Sequence, residues 1–248
     1  MNGLLDAALS NPWGTLDRFL DGPLHPGGTE ATERLLDRAE VEGGTRLLDV
    51  GCGGGEALAA ARDRGIDAVG IDPAPKTDRA IRGDATALPL RDGSVDVVLA
   101  ECVLCLTDPP AALSEAHRVL DGGGRLALSD VVVDGERPDV PDRVAEAFCL
   151  TGARSTDRLQ RCLADAGFEV RATDDRHDDL LAMRDRVAGR VDYEGLFGLM
   201  GERGQRALEA VETLETAVED GDVSYVSIVA HRKERGPGES GTTPGRGE

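Results

Sequence analysis

A glycine-rich loop with flanking carboxylates is the segment of this sequence best suited to binding a ligand. Gly51, Gly53 and Gly55 follow a short apolar run, and Asp49 stands just before them. Glycines let backbone N–H groups approach a ligand closely, because no Cβ intervenes. Asp72 ends the next apolar run, where a carboxylate can accept hydrogen bonds from both hydroxyls of a ribose. Helix capping or a solvated strand end is the alternative role for either aspartate.

Cysteine is the other residue type that could bind a ligand or react, and it occurs five times. The positions are Cys52, Cys102, Cys105, Cys149 and Cys162. An odd number of cysteines in a chain without an export signal predicts free thiols rather than a disulfide framework. Cys102 and Cys105 form a Cys-x-x-Cys pair, but no second pair follows at ligand spacing, so we predict no metal site. Free cysteine is often a small buried residue, which is our prediction for Cys105 and Cys162.

The elements that must position these residues alternate along the chain from about residue 29 to residue 172. This alternation is typical of βαβ units and predicts an α/β fold with a parallel sheet. The predicted strands cover residues 46–50, 68–71, 95–100, 125–133 and 168–172. The predicted helices begin near Thr29 and cover residues 56–64, 110–120 and 156–166. Cys102 follows the strand at 95–100, at the end where open α/β sheets bind their ligands.

The pattern changes after residue 173, where helical periodicity predicts an insert at about residues 174–222 before a final strand at 223–230. Within it, glycine recurs every third residue from Gly195 to Gly204. We interpret this run as a weak helix with a bare, closely packed face, and a mobile lid is the alternative. Residues 1–28 are predicted to form an N-terminal cap segment, residues 29–232 the main domain, and residues 233–248 a disordered tail.

The glycine loop resembles the first motif of the class I S-adenosylmethionine-dependent methyltransferases, Asp-x-Gly-x-Gly-x-Gly. Residues 83–90 are similar to the adenine-contacting segment of that family, and residues 115–124 to its helix and glycine turn before the fifth strand. The resemblance implies a doubly wound, Rossmann-like sheet of seven strands in the order 3-2-1-4-5-7-6. It also implies that the last strand is antiparallel and follows the helical insert.

The same resemblance implies S-adenosylmethionine as the cofactor and assigns residues to its parts. Those expected around its methionine part are Asp49, Gly51, Cys52, Gly53 and Gly55. Asp72 would hold the ribose, and Asp84 with Ala85 would contact the adenine. Glu101 stands at the end of the fourth strand, where it could help to hold the cofactor or the acceptor.

Cys102 and Cys149 stand in contexts similar to those in the arsenite methyltransferases, a branch of the same class. Residues 101–103 read Glu-Cys-Val where that branch has Asn-Cys-Val, and residues 149–153 match its Cys-x-x-Gly-Ala segment. The resemblance implies that these two thiols bind the methyl acceptor, with As(III) as the favoured candidate. Soft thiolates hold As(III) well and leave its lone pair free to attack a methyl group.

Other acceptors stay open because residues 1–51 contain no cysteine and Glu101 replaces the usual Asn. The alternative is an O-, N- or C-methyltransferase of a hydrophobic metabolite, with a pocket roofed by residues 196–200. A protein that binds the cofactor without catalysis is a third possibility. His177 is either a general base or part of a solvated charged loop. His25 precedes the first helix, where this fold often closes over its cofactor.

The charge balance excludes several classes of partner. The chain has 47 acidic against 28 basic residues, a formal charge of −19. Such a surface argues against binding nucleic acid or an anionic membrane, and leaves a small-molecule acceptor as the expected partner. No apolar run reaches membrane-spanning length, so we expect a soluble, cytoplasmic protein of undetermined oligomeric state. Coding bias and adaptation to a salt-rich cytoplasm are two alternative explanations of the acidic, lysine-poor composition, and the sequence leaves both open.

Overall fold

The computed structural model describes residues 23, 25–190, 193–198 and 201–233. The predicted cap segment at 1–28 lies largely outside these residues, and the predicted tail at 233–248 lies outside them except for Lys233. The division of the chain into cap, domain and tail therefore stays a prediction. Among the described helices, none combines the length and the apolar character needed to cross a membrane.

A seven-stranded sheet forms the centre of the described structure, in the order β3-β2-β1-β4-β5-β7-β6. Its strands are β1 (Arg46–Val50), β2 (Asp67–Asp72), β3 (Ala80–Arg82), β4 (Val95–Glu101), β5 (Leu120–Val133), β6 (Phe168–Asp175) and β7 (Val223–Arg232). Strand β7 pairs antiparallel with both β5 and β6, while the other neighbours pair in parallel. The predicted doubly wound, Rossmann-like sheet is confirmed in strand order and direction.

Helices connect these strands and cover the sheet. They are α1 (Gly28–Arg38), α2 (Glu56–Asp63), α3 (Pro109–Val119), α4 (Asp142–Ala147), α5 (Thr156–Asp165), α6 (His177–Ala188), α7 (Tyr193–Gly198) and α8 (Glu202–Glu219). Local chemistry explains two of the starts: Pro109 occupies the first turn of α3, and Ser155 accepts a hydrogen bond from the Arg158 N–H at 3.3 Å. The last three helices lie between β6 and β7, as the predicted insert requires.

The core is aliphatic and has two main layers, one on each face of the sheet. Successive residues of a strand point to opposite faces, so Leu47 packs with α1 and α2 while Leu48 packs with α3 and α5. A third apolar cluster joins the helical insert to β5 and β7, and it contains Leu214, Val218 and Val131. This third cluster borders the carboxyl ends of the central strands, where the candidate site lies.

The structure differs from the sequence predictions at four places. Strand β6 continues to Asp175, so the insert begins after it rather than at residue 174. Strand β5 begins at Leu120, which pairs with Val95 across a register shift. Helix α4 was not predicted, and the bounds of the predicted third strand were not given, because both elements are too brief to show periodicity. The glycine run is not one helix, because Gly201 has a φ of 61° between α7 and α8.

Candidate active site

The glycine loop between β1 and α2 has a backbone that favours glycine. Gly51, Gly53 and Gly55 have φ angles of 76°, 48° and 89°. A Cβ on Gly51 would approach Cγ2 of Val103 to 2.6 Å, and a Cβ on Gly55 would approach Cγ2 of Thr77 to 2.9 Å. Both the backbone and the neighbouring side chains therefore require glycine in the predicted motif.

A cleft of about 690 Å³ lies at the carboxyl ends of β1, β2 and β4. Most of the predicted cofactor-binding residues line it: Asp49, Gly51, Cys52, Gly53, Asp72, Asp84, Ala85 and Glu101. Gly55 does not line the cleft and instead forms the N-cap of α2. The structure thus brings together residues from four separate stretches of the sequence around one opening.

Two buried carboxylates face this cleft from β1 and β4. Asp49 is 3% exposed, and the side chain of Glu101 is 6% exposed. Asp49 Oδ2 and Glu101 Oε1 are buried and make no hydrogen bond within the described part of the chain. Burial raises the pKa of both carboxyls, and the charge of Glu101 raises that of Asp49 further. Unpaired buried carboxylate oxygens are costly, so the cleft suits a ligand with positive charge or with hydrogen-bond donors.

Asp72 and Asp84 make local hydrogen bonds that add to their predicted roles. Asp72 Oδ2 accepts a hydrogen bond from the Gly53 N–H at 3.0 Å, so this carboxylate also fixes the glycine loop. Asp84 Oδ1 accepts from the N–H and the hydroxyl of Thr86, both at 2.8 Å, and these bonds lower the pKa of Asp84. Both aspartates therefore also act as local caps.

The thiol of Cys52 belongs to the core, although the residue lines the cleft. A Cβ on Gly70 would approach the Cys52 Sγ to 2.5 Å, which shows how closely this thiol packs against β2. Burial raises the pKa of Cys52 to about 12. Cys162, half-buried on α5, packs against the core layer on the other face of the sheet. Neither thiol is available for chemistry in the cleft.

His25 lines the cleft, and Thr32 on α1 contacts Glu101 beside it. His25 is 8% exposed, and its Nε2 lies 3.6 Å from Glu101 Oε2. The hydroxyl of Thr32 donates to the same oxygen at 2.9 Å. Both contacts lower the pKa of Glu101, against the larger effect of burial. Sequence reasoning missed Thr32, whose only signal is its place on the apolar face of α1 beside Leu35 and Leu36.

Three thiols lie together next to the cleft and are called the thiol row. Cys102, Cys149 and Cys105 pack in one apolar cluster, and the Cys105 N–H donates to Asp130 Oδ2 at 3.0 Å. Cys102 is half-buried and lines the cleft, whereas Cys149 and Cys105 are buried. The structure therefore brings the predicted pair Cys102 and Cys149 together. Cys105 is buried as predicted, but it also extends the thiol row.

The backbone is strained at both cysteines of the predicted pair. Cys102 and Cys149 have φ angles of 55° and 61°, and Glu40 is the only other described non-glycine residue with a positive φ. Such a conformation costs about 1–2 kcal/mol for a residue with a Cβ and is concentrated at functional sites. The neighbouring Cys149 thiol and burial raise the pKa of Cys102 well above its ordinary value. The neighbouring Cys105 thiol and burial raise the pKa of Cys149, so two protonated thiols stand side by side.

Asp130 closes the thiol row inside the protein. It is 3% exposed, and its oxygens accept hydrogen bonds from the N–H groups of Cys105 and Val131, both at 3.0 Å. Burial raises its pKa to about 6. Sequence reasoning missed Asp130. Within the part of the chain that the structure describes, no group of three or more His, Cys, Asp or Glu side chains is arranged to hold a metal ion.

Tyr225 and Ser129 contact the thiol row from the strands beneath it. The Tyr225 hydroxyl donates to Ser129 Oγ at 2.7 Å, and Cys102 Sγ lies 3.6 Å from the same hydroxyl. Tyr225 is 1% exposed, and burial raises its pKa well above the ordinary value. Sequence reasoning missed this tyrosine, because it belongs to a strand whose other residues pack in the core.

An apolar cavity of about 120 Å³ lies on the other side of Cys102. Its lining comes mainly from α4, α6, α8 and the residues around Cys149, and Arg184 and Glu215 are its charged members. The predicted roof at residues 196–200 falls partly outside the described residues, although Phe197 is buried and stacks on Tyr193, which lines the cavity. Cys102 lines both the cleft and this cavity.

His177 lies away from both the cleft and the apolar cavity. It begins α6, where its N–H donates to Asp175 Oδ1 at 2.8 Å, and it lines neither the cleft nor the apolar cavity. The structure thus gives no support to the interpretation of His177 as a general base. The charged-loop interpretation is also inexact, because the residue belongs to a helix.

Comparisons with known proteins agree with this architecture. Residues 48–128 match the family described as a methyltransferase domain. The chain is 34% identical over 191 residues to an O-methyltransferase of Pyrenophora dematioidea, covering 67% of this chain and 70% of that protein. It is 33% identical over 153 residues to an arsenite methyltransferase of Halobacterium salinarum, covering 53% of this chain and 39% of that protein.

Similarity extends to solved structures at the level of the fold. A structure of geranyl diphosphate methyltransferase in complex with SAM has a TM-score of 0.68 and 20% identity. The superposition covers 83% of this chain and 85% of that one. Against other curated relatives, the chain spans about half of their length, 56% in one case and 47% in another.

Proposed function

Because the chain belongs to the class I S-adenosylmethionine-dependent methyltransferases, we propose that it methylates a small acceptor bound beside Cys102. The cleft at the carboxyl ends of β1, β2 and β4 is the cofactor site of this proposal. The acceptor site is the junction of the cleft and the apolar cavity, which Cys102 alone among the five cysteines lines from both sides. Methyl transfer is an in-line displacement, so the two sites must meet at one point.

The residues of the cleft fit this cofactor. When bound, it supplies an electrophilic methyl group on a positively charged sulfur. The unpaired oxygens of Asp49 and Glu101 suit its positive groups, because both are buried and without another donor. Asp72, at the end of β2, keeps acceptor capacity for ribose hydroxyls beside its bond to Gly53. Ala85, which follows Asp84 on the cleft wall, is our candidate for an adenine contact.

As(III) held by Cys102 and Cys149 is the acceptor that we place first. The observation that carries this choice is that two cysteines on strained backbone pack in one cluster and line the same cavity, with Cys102 at the edge of the cleft. Each thiol replaces one hydroxide of As(OH)₃: an S–As bond forms, and the hydroxide leaves with the thiol proton as water. No oxidant is needed for this exchange, and neutral thiols suffice. The arsenic keeps its lone pair, which is the nucleophile for methyl transfer.

Two further points support As(III). One relative that shares 33% identity with this chain is an arsenite methyltransferase, although the alignment covers 39% of that protein. The second point is electrostatic, because As(OH)₃ is neutral at physiological pH. A neutral species approaches a protein of formal charge −19 more readily than an anion does.

Methylation of As(III) tests the proposal directly. The full chain is incubated with As(III), a small thiol and S-adenosylmethionine, and the arsenic species are separated and counted. We expect methylated arsenic from the wild type and at least a tenfold loss in Cys102→Ser and in Cys149→Ser. Cys162→Ser is the matched control, because this half-buried cysteine lies on α5 away from both spaces. Absence of product from a wild type that binds the cofactor would reject As(III).

A hydrophobic metabolite is the second candidate, and the apolar cavity favours it. The cavity presents mostly aliphatic and aromatic side chains, including Phe148, Met183 and Leu214. A relative with 34% identity carries the name O-methyltransferase. This candidate predicts that Cys102→Ser keeps nearly full activity, whereas Leu214→Arg, which places a charge in the cavity, abolishes it. A methyl-transfer screen of apolar alcohols, phenols and amines with these two variants separates the candidates.

A further inference from the structure

A threonine buried on α1 holds one oxygen of the Glu101 carboxylate. Thr32 is 0% exposed, and its hydroxyl donates to Glu101 Oε2 at 2.9 Å. His25 encloses the same oxygen from a second side, with its Nε2 at 3.6 Å from that oxygen and at 3.4 Å from the Thr32 hydroxyl. Two side chains that precede β1 in the sequence therefore surround Glu101 Oε2.

The other oxygen of the same carboxylate is left for a ligand. Glu101 lines the cleft, and its Oε1 is buried and makes no hydrogen bond within the described residues. The fold thus makes the two oxygens of this carboxylate different, although they are chemically equivalent. A buried acceptor without a donor is costly, so a ligand that brings an N–H or O–H group to Oε1 gains free energy on binding.

Packing alone does not explain a hydroxyl at position 32. The buried residues that follow it on α1 are Leu35 and Leu36, and a valine at position 32 would have the same shape as threonine without a polar group to bury. The hydrogen bond from Thr32 favours the ionised form of Glu101, because it lowers the pKa of this carboxyl against the larger effect of burial. The hydroxyl therefore serves the carboxylate and not the core.

The cofactor has two positive groups, and only one of them can donate hydrogen bonds. Its sulfonium sulfur carries no N–H, whereas the ammonium group of its methionine part carries three. These donors match the unpaired Glu101 Oε1 and leave another for Asp49 Oδ2, the second unpaired carboxylate oxygen of the cleft. Hydrogen bonds between two charged groups are the strong ones, so the ammonium is the group that Glu101 suits best.

We propose that Thr32 is a positioning residue, which holds Glu101 Oε2 and thereby directs Oε1 to the ammonium group of the cofactor. The inference rests on the proposed function only in taking the cleft as the cofactor site, and it is independent of the acceptor. Thr32 does not itself line the cleft, so its effect passes through Glu101. Loss of its hydroxyl should weaken ligands that have the amino group, and only those.

Calorimetric titration with three ligands tests this inference without turnover. S-adenosylhomocysteine has the amino and carboxyl groups, its decarboxylated analogue keeps only the amino group, and methylthioadenosine lacks both. In Thr32→Val, the affinity for the two ligands with an amino group should fall by roughly fivefold or more. The affinity for methylthioadenosine should stay within about twofold of the wild-type value, because this ligand brings no donor to Glu101.

Thr32→Ser separates positioning from packing. Serine keeps the hydroxyl and removes the γ-methyl group, so positioning predicts that Thr32→Ser binds the amino ligands more tightly than Thr32→Val does. Packing predicts the reverse order, because serine leaves a small cavity beside α1. Thr216→Val is the matched control: this exposed hydroxyl donates to the Glu212 carbonyl within α8, and its removal should change none of the three affinities.

A double substitution shows whether Thr32 acts through Glu101. Glu101→Gln removes the negative charge that the ammonium group needs. Adding Thr32→Val to Glu101→Gln should therefore weaken the amino ligands by less than about twofold further. If the two substitutions have fully additive effects, Thr32 influences the ligand by another route, and the inference is overturned.

The outcomes also separate this inference from the proposed function. Equal losses for all three ligands in Thr32→Val, or no loss for any, would overturn the positioning role and leave the cleft as the cofactor site. A wild type that binds none of the three would overturn the cofactor site and this inference with it. Selective loss of the amino ligands supports the positioning role even if no methylated arsenic is ever formed. Should Thr32→Val fail to fold, Thr32→Ser against Thr32→Ala isolates the same hydroxyl, because both lack the γ-methyl group.

Discussion

Cys102 and Cys149 follow two different elements but pack in one apolar cluster and line the same cavity, and both residues have left-handed backbone, with φ angles of 55° and 61°. Backbone contacts hold each conformation: the Cys102 N–H donates to the Ser129 carbonyl at 2.8 Å, and the Cys149 N–H donates to the Glu146 carbonyl at 3.3 Å. The left-handed backbone at both residues lowers the stability of the fold at the point where the proposed acceptor binds.

Glycine at position 102 should relieve this strain. We expect Cys102→Gly to be more stable than Cys102→Ala by about 1 kcal/mol, because only alanine keeps a Cβ in the left-handed region. Urea denaturation of the two variants measures the difference. Cys105 is the matched control: it lies in a 3-10 turn without a positive φ, so there alanine should be the more stable substitution. If the alanine variant were more stable than the glycine variant at both positions, the backbone of Cys102 would not be strained.

The glycine loop provides a matched pair of substitutions. Gly51→Ala combines a φ of 76° with a Cβ that would lie 2.6 Å from Val103, so we expect a loss of about 1–3 kcal/mol in stability and at least tenfold weaker binding of S-adenosylhomocysteine. Gly54→Ala meets only the flexible end of the Glu56 side chain and should bind nearly normally. Calorimetry measures the stability of both variants and their affinity for S-adenosylhomocysteine. Equal losses in Gly51→Ala and Gly54→Ala would refute the steric explanation.

Asp49 should lower the stability of the ligand-free protein and strengthen binding of the cofactor. The residue is 3% exposed, one oxygen is unpaired, and its pKa is raised well above the ordinary value by burial. Asp49→Asn removes a costly buried charge, so the ligand-free protein should become more stable at pH 7 by about 1–2 kcal/mol. Binding of the cofactor should weaken at least tenfold. The exposed Asp165→Asn is the control, and a destabilised Asp49→Asn would show that the charge serves the fold instead.

Much of the fold could be predicted because its signals are local and strong. Strand β1 was predicted at its observed bounds, since an apolar run ending at a glycine loop leaves little freedom. Helices α2, α3 and α5 were placed within a residue or two for the same reason. Strand β6 was predicted too short, because Asp174 and Asp175 look like a loop in sequence and are tolerated at an edge of the sheet.

The cofactor cleft was predictable and the acceptor site was only partly so. Motif spacing placed Asp49 and Asp72 together, because parallel strands bring their carboxyl ends to one edge. The contact between Cys102 and Cys149 was expected only from a family resemblance. Tyr225 was missed, because strand register and not local sequence places its hydroxyl beside Cys102, and β7 crosses the sheet after the long insert.

Asp130 should make stability depend on pH between about 4 and 6. Burial raises its pKa to about 6 from an ordinary value of 3.8, so the folded protein binds more protons than the unfolded chain in that window. Stability attributable to this group therefore falls as pH rises through the window and is constant above it. The full effect is roughly 3 kcal/mol for a shift of this size.

Asp130→Asn isolates this effect because asparagine cannot ionise. The free energy of unfolding is measured by urea titration at several pH values from 4 to 7. We expect the wild type to lose roughly 2 kcal/mol relative to Asp130→Asn as pH rises across that range, with the change concentrated below pH 6. The exposed Asp139→Asn should follow the wild-type curve. Parallel curves for Asp130→Asn and the wild type would mean that Asp130 is not held in a protonated state by burial, and that the hydrogen bonds from Cys105 and Val131 stabilise its charge instead.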